Sequence, residues 1–149
     1  MNKEEELRDF LRDVFSSQRL AVLATHSRGA PYCSLVGFAA TDDLKFLLFA
    51  TTRSTRKFAN LNLDQRVSLL IDTRANRDED FQKAAAITAT GQATEVDEPE
   101  KDNILKVYLA KHPYMEGFVS SPTCALVKVK VDTYYVVRRF QEVTKLSME

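Results

Sequence analysis

The chain has 149 residues, a length typical of one domain, and its 44% hydrophobic and 28% charged residues exclude a disordered or collagen-like chain. Lysine plus arginine equals aspartate plus glutamate at 21 each, so no global charge attracts nucleic acid or an anionic membrane surface. The two cysteines are too few for a secreted disulfide framework, and no stretch is long and apolar enough for a membrane span. We therefore expect a cytoplasmic protein that forms one domain over residues 1–149.

A helix opens the predicted fold and strands follow it. Apolar residues between positions 7 and 15 repeat with helical spacing, which predicts an amphipathic helix over about residues 3–16. The pattern then changes to short runs of β-branched, aromatic and small residues separated by turn-forming residues. These runs predict strands at residues 19–26, 31–41 and 44–51. Their connections are too short for a crossover helix, so we expect antiparallel pairing.

The middle of the chain returns briefly to a helical pattern. Residues 57–64 predict a short helix, residues 66–72 a further strand, and residues 73–80 an exposed polar loop. The apolar segment 84–96 predicts another strand of the sheet. Gly91 inside this segment indicates a bulge or a close approach by another backbone.

The last third of the chain combines one helix with two predicted strands. The sequence Asp97-Glu98-Pro99-Glu100 has the cap, proline and acidic residue of a helix start, which predicts a second long helix ending at about His112. Residues 123–132 alternate valine with lysine, as in a strand with one solvated face, and residues 134–143 are predicted to pair behind it. About seven strands with three helices predict a mainly β fold: an antiparallel closed or split β-barrel with helical caps.

The segment 51–57 concentrates polar chemistry where a strand gives way to a helix. Its seven residues, TTRSTRK, include four hydroxyls and three cations. The first N–H groups of a helix are unpaired and carry partial positive charge, so these side chains suit a phosphate monoester. The alternative is that Ser54 or Thr55 only caps the helix and that the cations are solvated surface residues.

The order of these elements resembles the FMN-binding split-barrel family related to pyridoxamine 5'-phosphate oxidase. The resemblance covers nearly the full chain and includes Gly29-x-Pro31 at the start of the second strand. Its most specific part is TTRSTRKFANL, residues 51–61, in which a strand is followed by threonine, serine, lysine and Asn-Leu at the spacing of the family. In that family this loop holds the flavin phosphate. The resemblance assigns this role to Ser54, Thr55, Arg56 and Lys57.

The resemblance also implies the remaining contacts with FMN and a homodimer with two cofactor sites at its interface. Backbone of two strands borders the isoalloxazine ring, which suits a flat ring with a polar rim because apolar side chains cover its face while peptide groups reach its edge. A segment of the neighbouring subunit approaches the same cofactor. The implied residues are Cys33, Ser34, Leu35, Val36, Phe49, Ala50 and Thr51, with Gln92 from the neighbouring subunit.

The chain departs from the oxidase at two places. The strand PYCSLVGF lacks the arginine and lysine that the oxidase carries there, and the C-terminal segment lacks the oxidase's substrate-binding arginine motif. FMN binding is therefore expected, but pyridoxamine oxidation does not follow. Either Arg138 or Arg139 could approach the open flavin face, but not both, because adjacent residues on a strand point in opposite directions. A flavin contact by Phe140 is a minor alternative to packing.

Histidines and cysteines indicate no further chemistry. His26 and His112 have no other ligand residues at metal-binding spacing, and His112 is interpreted as a cation at a helix end. Cys33 and Cys124 are interpreted as small buried hydrophobic residues, since no partner base is visible. No catalytic side chain is assigned.

Three functions remain after these observations. The leading hypothesis is an FMN-dependent oxidoreductase that exchanges electrons with a small-molecule donor or acceptor. The alternatives are a non-catalytic module that stores or senses FMN, and a haem-handling or deazaflavin-binding protein of the same fold. Nucleic-acid binding is not expected, because the neutral chain places only Phe49 and Phe58 near the cationic loop.

Overall fold

The computed structural model describes residues 2–139 and 141–149. Within these residues the chain forms seven strands, five α-helices and one 3₁₀ turn. The strands are β1 (Leu20–Ser27), β2 (Ala30–Ala40), β3 (Phe46–Thr52), β4 (Arg66–Asp72), β5 (Ala86–Glu95), β6 (Cys124–Arg138) and β7 (Glu142–Ser147). The helices are α1 (Lys3–Ser17), α2 (Arg56–Leu63), α3 (Asp80–Lys83), α4 (Lys101–Lys111) and α5 (Glu116–Val119), with the 3₁₀ turn at Pro113–Met115. None of the described helices has the length and apolar character required to cross a bilayer.

The sheet closes on itself. Its strand order is β3-β2-β1-β4-β5-β6-β7, and β3 also pairs with β6, so the first six strands form an antiparallel barrel and β7 extends β6 outside the ring. The predicted mainly β split barrel with helical caps is confirmed. Closure removes every free sheet edge from the six barrel strands except where neighbouring strands diverge.

The barrel interior is filled by alternate side chains of the strands and by one face of α1. Leu11 and Phe15 of α1 enter one end of the barrel, where the Phe15 ring lies 5.7 Å from the rings of both Phe38 and Tyr134. The buried Tyr134 hydroxyl donates to the Leu44 carbonyl oxygen at 2.7 Å, so its polar atom is satisfied inside the core.

A second apolar cluster lies outside the barrel, beneath α4 and α5. It packs Tyr108 of α4 and Val119 of α5 against outward-facing side chains of β2, β3 and β6, among them Ala39, Leu48 and Leu126. Helix α4 therefore covers the outer face of the barrel where β2 and β3 meet.

Gly91 confirms both parts of its prediction. The pairing of β5 with β6 shifts register between Thr90 and Gly91, which is a β-bulge. A Cβ atom at Gly91 would lie 2.2 Å from the backbone oxygen of Lys130, so only glycine allows this approach.

The predicted boundary between the last two strands was wrong. Residues 134–143 do not form a separate strand: β6 continues unbroken to Arg138, because the bulge opposite Gly91 bends the strand without reversing it. The reversal into β7 uses positive φ angles at Arg139 (52°) and Gln141 (73°), residue types that give no turn signal. The predicted loop 73–80 leads into the short helix α3, and α4 begins at Lys101, directly after the predicted start sequence Asp97-Glu98-Pro99-Glu100.

Candidate cofactor site

The barrel is open between β2 and β3. β2 pairs with β1 along Ala30–Gly37, but it pairs with β3 only at Phe38–Ala40. β3 pairs with β6 along its whole length. The described strands therefore leave an opening, the β2–β3 gap, bounded by residues 33–37 of β2 and residues 50–52 of β3. They overlap the two segments that the family resemblance places beside the isoalloxazine ring, residues 33–36 and 49–51.

The register shows which peptide groups face the β2–β3 gap. The Phe38 N–H donates to the Arg19 carbonyl oxygen, so the peptide groups of Phe38 point toward β1. Peptide groups alternate along a strand, and those of Cys33 and Leu35 therefore point toward the gap. The same alternation directs the Ala50 carbonyl of β3 toward the gap. The gap thus has backbone donors and acceptors on both sides.

Side chains of the predicted ring-contact residues divide between the two faces of the sheet. Leu35 is 65% exposed on the outer face. Cys33 is exposed on the same face, which corrects its interpretation as a buried residue: alternation along β2 turns it outward. Val36 is buried, and the Ser34 hydroxyl is buried without a hydrogen-bond partner among the described residues. Phe49 is fully buried in the barrel core and lies where β3 still pairs with β2 and β6, so neither its side chain nor its peptide groups face the gap.

The loop between β3 and α2 contains both predicted features, a helix cap and free polar groups. Thr55 is the N-cap residue: its hydroxyl accepts from the Phe58 N–H at 3.4 Å and lies 3.0 Å from both the Thr52 carbonyl oxygen and the buried Thr51 hydroxyl. Ser54 is exposed. The Thr55 hydroxyl is therefore already engaged, and the Ser54 hydroxyl faces solvent.

The three cations of this loop are not equivalent. Arg53 donates to the Pro122 carbonyl oxygen at 2.8 Å and pairs with Glu95 at 2.5 Å, so its charge is balanced within the fold. Arg56 and Lys57 have no acidic side chain within 4.0 Å in the described part of the chain. Two uncompensated positive charges remain at the first turn of α2, beside the β2–β3 gap.

Side-chain contacts fix α2 to the strands on the far side of the gap. The guanidinium carbon of Arg56 lies 5.7 Å from the centre of the Tyr32 ring on β2. The buried Asn60 donates through Nδ2 to the Thr25 hydroxyl of β1 at 3.1 Å. Helix α2 follows β3 in the chain and contacts β2 and β1, so it connects the two sides of the gap.

The C-terminal end of α2 carries a small charge cluster. The Asp64 carboxylate lies 2.7 Å from the Arg66 guanidinium and 3.0 Å from His26 Nε2. The hydrogen bonds from Arg66 hold the pKa of Asp64 well below its usual range. Among residues 2–139 and 141–149, no group of three His, Cys, Asp or Glu side chains is arranged to hold a metal ion.

Gln92 is not brought together with the other predicted site residues within one chain. It pairs with Lys130 of β6, and Lys130 pairs with Phe46 at the opposite end of β3 from Thr51. Gln92 is exposed on the outer face of the barrel. Within one chain Gln92 therefore does not reach the β2–β3 gap.

Arg138 and Arg139 also lie away from the gap in the same chain. The Arg138 guanidinium is 4.7 Å from the centre of the Phe10 ring of α1, and Arg139 approaches Glu142 at 3.8 Å. Phe140, the minor ring-contact alternative, lies outside the described residues.

One group of residues was missed from the sequence. His112, interpreted from the sequence as a cation at a helix end, is 3% exposed, and its Nε2 lies 2.7 Å from the Phe38 carbonyl oxygen. Tyr108 precedes His112 by four residues and Lys111 by three, spacings that bring helical side chains together and that the sequence pattern contained. The bend after α4 buries this face against β2. His112 and Tyr108 also line a cavity of about 670 Å³ that is bordered by Leu35 and Gly37 of β2.

Comparison with known proteins identifies the fold family. The family model described as pyridoxamine 5'-phosphate oxidase matches residues 4–138, from α1 to the end of β6. The chain belongs to this family. The pyridoxamine 5'-phosphate oxidase match contains every predicted site residue, and it confirms the resemblance seen in the sequence. No curated protein sequence matches this chain significantly.

Solved structures extend the likeness beyond sequence. A haem-binding protein from Mycobacterium smegmatis has a TM-score of 0.83 at 16% identity; the alignment covers 99% of this chain and 58% of that one. General Stress Protein 26 from Bacillus anthracis has a TM-score of 0.68 at 20% identity, covering 95% of this chain and 99% of that one. A FAD-binding protein from Mesorhizobium loti has a TM-score of 0.68 at 14% identity, covering 85% and 89%. At these identities the likeness shows the fold alone.

Proposed function

We propose that this chain binds FMN in the β2–β3 gap and acts as an FMN-dependent oxidoreductase on a small-molecule substrate. The observation that carries the proposal is the position of the gap: strand backbone open on both sides, ending at a helix start with two uncompensated cations. Membership of the pyridoxamine 5'-phosphate oxidase family supports it. A FAD-binding protein has the same fold.

The phosphate fits the loop end of the gap. Ser54 would donate its free hydroxyl, and Arg56 and Lys57 would supply two charges to a phosphate that carries nearly two. The first N–H groups of α2 point to the same place. Thr55 shapes this turn as its cap, and Arg53 is held away by Glu95.

The isoalloxazine ring fits the strand end of the gap. Peptide groups of Cys33, Leu35 and Ala50 would meet its polar rim, and the buried Ser34 hydroxyl has its hydrogen-bonding capacity unused among the described residues. Bound flavin would supply hydride and electron transfer, while these residues bind and orient it. The substrate would enter the cavity of about 670 Å³ that Leu35 and Gly37 border.

A homodimer with FMN at the interface follows from two features of the outer face. Leu20 and Leu35 are large apolar side chains exposed next to each other on β1 and β2. Gln92 lies too far along the barrel to reach the gap of its own chain. A second copy seated on this face would cover the apolar side chains and bring its Gln92 toward the cofactor.

The purified protein tests the proposal directly. We expect a yellow protein with the visible bands of oxidised flavin, and a released cofactor with the mass of FMN. A colourless protein that takes up no added FMN would contradict the proposal, and a haem titration that saturates at one haem per chain would favour the haem-handling alternative.

Stopped-flow reduction separates turnover from storage. The FMN-loaded protein, mixed with NADH or NADPH, is expected to lose its visible absorbance and to regain it when an acceptor is added. A flavin that stays oxidised with both donors, although dithionite reduces it in the positive control, would favour an FMN-storing or FMN-sensing module.

A further inference from the structure

The last turn of α4 makes three contacts with one short stretch of β2. The Tyr108 hydroxyl donates to the Gly37 carbonyl oxygen at 3.2 Å. His112 Nε2 lies 2.7 Å from the Phe38 carbonyl oxygen, and it must be the donor because a carbonyl only accepts. The Lys111 ammonium is 3.7 Å from the centre of the Phe38 ring. We call these three side chains the α4 clamp.

The α4 clamp holds β2 from both of its edges. Phe38 directs its peptide groups toward β1, as its N–H bond to Arg19 shows, so His112 contacts β2 on the β1 side. Gly37 directs its peptide groups the other way, so Tyr108 contacts β2 on the side of β3. Phe38 is the first residue of β2 that pairs with β3. The clamp therefore acts at the point where the β2–β3 gap begins.

The surroundings of the clamp favour a fixed geometry. Tyr108 is 1% exposed, and burial raises the pKa of its hydroxyl to about 12, so it remains a donor throughout the physiological range. A Cβ atom at Gly37 would lie 3.3 Å from the Tyr108 hydroxyl oxygen, so glycine allows the close approach. Lys111 also donates to the Phe15 carbonyl oxygen of α1 at 2.7 Å, which ties the clamp to the helix that fills the barrel end.

We infer that Tyr108, Lys111 and His112 are positioning residues that fix the β2 side of the gap and thereby set the geometry of the flavin site. The inference rests on the proposed function. From Ala30 to Gly37, β2 has no strand partner on its gap side in the described structure, so the place of this segment relative to β3 depends on contacts near Phe38, where the pairing with β3 begins. The α4 clamp supplies such contacts, at Gly37 and Phe38, from side chains that lie on neither β2 nor β3.

Tyr108→Phe tests the clamp, because it removes one hydroxyl and leaves the packing of the ring. The matched control is Tyr134→Phe, which removes an equally buried hydroxyl that also donates to a backbone carbonyl, that of Leu44. Both variants should lose similar stability in urea unfolding. We expect Tyr108→Phe alone to weaken FMN binding about tenfold and to change the visible circular dichroism of the bound flavin.

His112 gives a second, independent variant. His112→Leu removes the donor to Phe38, whereas His112→Gln keeps an amide N–H of similar reach. We expect weak FMN binding and an altered flavin spectrum in the leucine variant, with recovery of both in the glutamine variant. Equal FMN affinity and spectra in wild type, Tyr108→Phe and His112→Leu would overturn the inference and leave these residues with a purely structural role.

Hydrogen exchange of the protein without cofactor separates this inference from the proposed function. We expect the amides of residues 32–37 to exchange at least about tenfold faster in Tyr108→Phe than in wild type, and to be unchanged in Tyr134→Phe. This outcome would support the clamp even if the wild type binds no FMN, a result that would defeat the proposed function alone. Unchanged exchange in Tyr108→Phe would defeat the clamp even if FMN binds as proposed.

Discussion

Two seams of the same barrel differ greatly in pairing. β5 and β6 pair at ten positions, from Ala86 to Glu95, and the seam is interrupted only by the bulge at Gly91. β2 and β3 pair at three positions and then separate. The long seam is continuous along the whole of β5, and the short seam leaves backbone groups free beside a cationic loop. Strand pairing therefore stops beside the loop that carries the cations of the proposed cofactor site.

The difference has a local cause in each seam. Gly91 lets β5 and β6 approach more closely than any side chain would allow, so pairing continues through the bulge. At the gap, the loop after β3 is drawn toward β5 and β6 by Arg53, which contacts Glu95 and Pro122. β2 is held instead by α4. The two sides of the gap therefore belong to different sets of tertiary contacts.

The largest effect is expected from adding one methyl group to the continuous β5–β6 seam. Gly91→Ala would place a Cβ atom 2.2 Å from the Lys130 backbone oxygen, and backbone cannot move aside cheaply. We expect a loss of about 3 kcal/mol in the free energy of unfolding, measured in urea. Gly117→Ala is the control: its Cβ would meet nothing within 4 Å, so it should be neutral or slightly stabilising. Equal stability of the two variants would contradict the close approach in the seam.

The open seam is tested through its charges. The double variant Arg56→Ala with Lys57→Ala should weaken FMN binding about 100-fold or more, because each charge-assisted hydrogen bond contributes about 1.5–3 kcal/mol. Binding of riboflavin, which lacks the phosphate, should not change, and the fold should remain intact. Fluorescence titration measures both affinities.

The charge-matched control for this test removes two cations elsewhere. Lys83→Ala with Lys106→Ala changes two exposed lysines that form no ion pair in the described structure. It should bind FMN as the wild type does. Full FMN occupancy of the Arg56 and Lys57 variant would refute the assignment of the phosphate to this loop.

The outer face beside the open seam is tested by oligomeric state. Leu35→Lys should weaken self-association at least about tenfold, because it places a charge in the proposed apolar interface. Val143→Lys changes a side chain of similar exposure, 63% against 65%, on β7 outside the barrel, and it should have no effect. Sedimentation velocity measures both. A dimer of unchanged affinity in Leu35→Lys would remove this face from the interface.

Neighbouring hydroxyls in the loop should separate stability from binding. Thr55→Ala removes the cap of α2 and should cost about 1 kcal/mol of unfolding free energy, while Thr55→Ser keeps the cap. Ser54→Ala should leave stability unchanged and weaken FMN binding about tenfold. Chemical denaturation and FMN titration on the three variants test this. The opposite assignment, with stability lost in Ser54→Ala, would contradict the structure of the turn.

The smallest expected effect concerns the far end of α2. Arg66 depresses the pKa of Asp64 below 3.8, so the ionised carboxylate stabilises the fold above that pH, and the contribution is lost as the pH falls through the folded pKa. Asp64→Asn should therefore show a shallower loss of stability below about pH 4 than the wild type. Parallel curves for wild type and Asp64→Asn would contradict the pairing.

Local spacing in the sequence determined most of the elements and the family. The α1 helix, the first five strands, the short helix after the cationic loop and the approach at Gly91 follow from residues a few positions apart, as does the TTRSTRKFANL motif. These features are local because helix spacing, strand alternation and turn chemistry depend on near neighbours. Ser54, Arg56 and Lys57 lie within this local motif, and they stay the proposed phosphate residues.

The length of each strand pairing and the set of side chains that remain free depend on contacts between residues far apart in the chain. Arg53 pairs with Glu95, 42 positions away, and the buried His112 forms a hydrogen bond to the Phe38 carbonyl oxygen, 74 positions away. The continuous β6 likewise depends on a bulge opposite another strand. Such contacts form when the barrel closes and brings distant segments together. Local sequence patterns do not show which distant residues will meet, so these contacts could not be predicted from spacing.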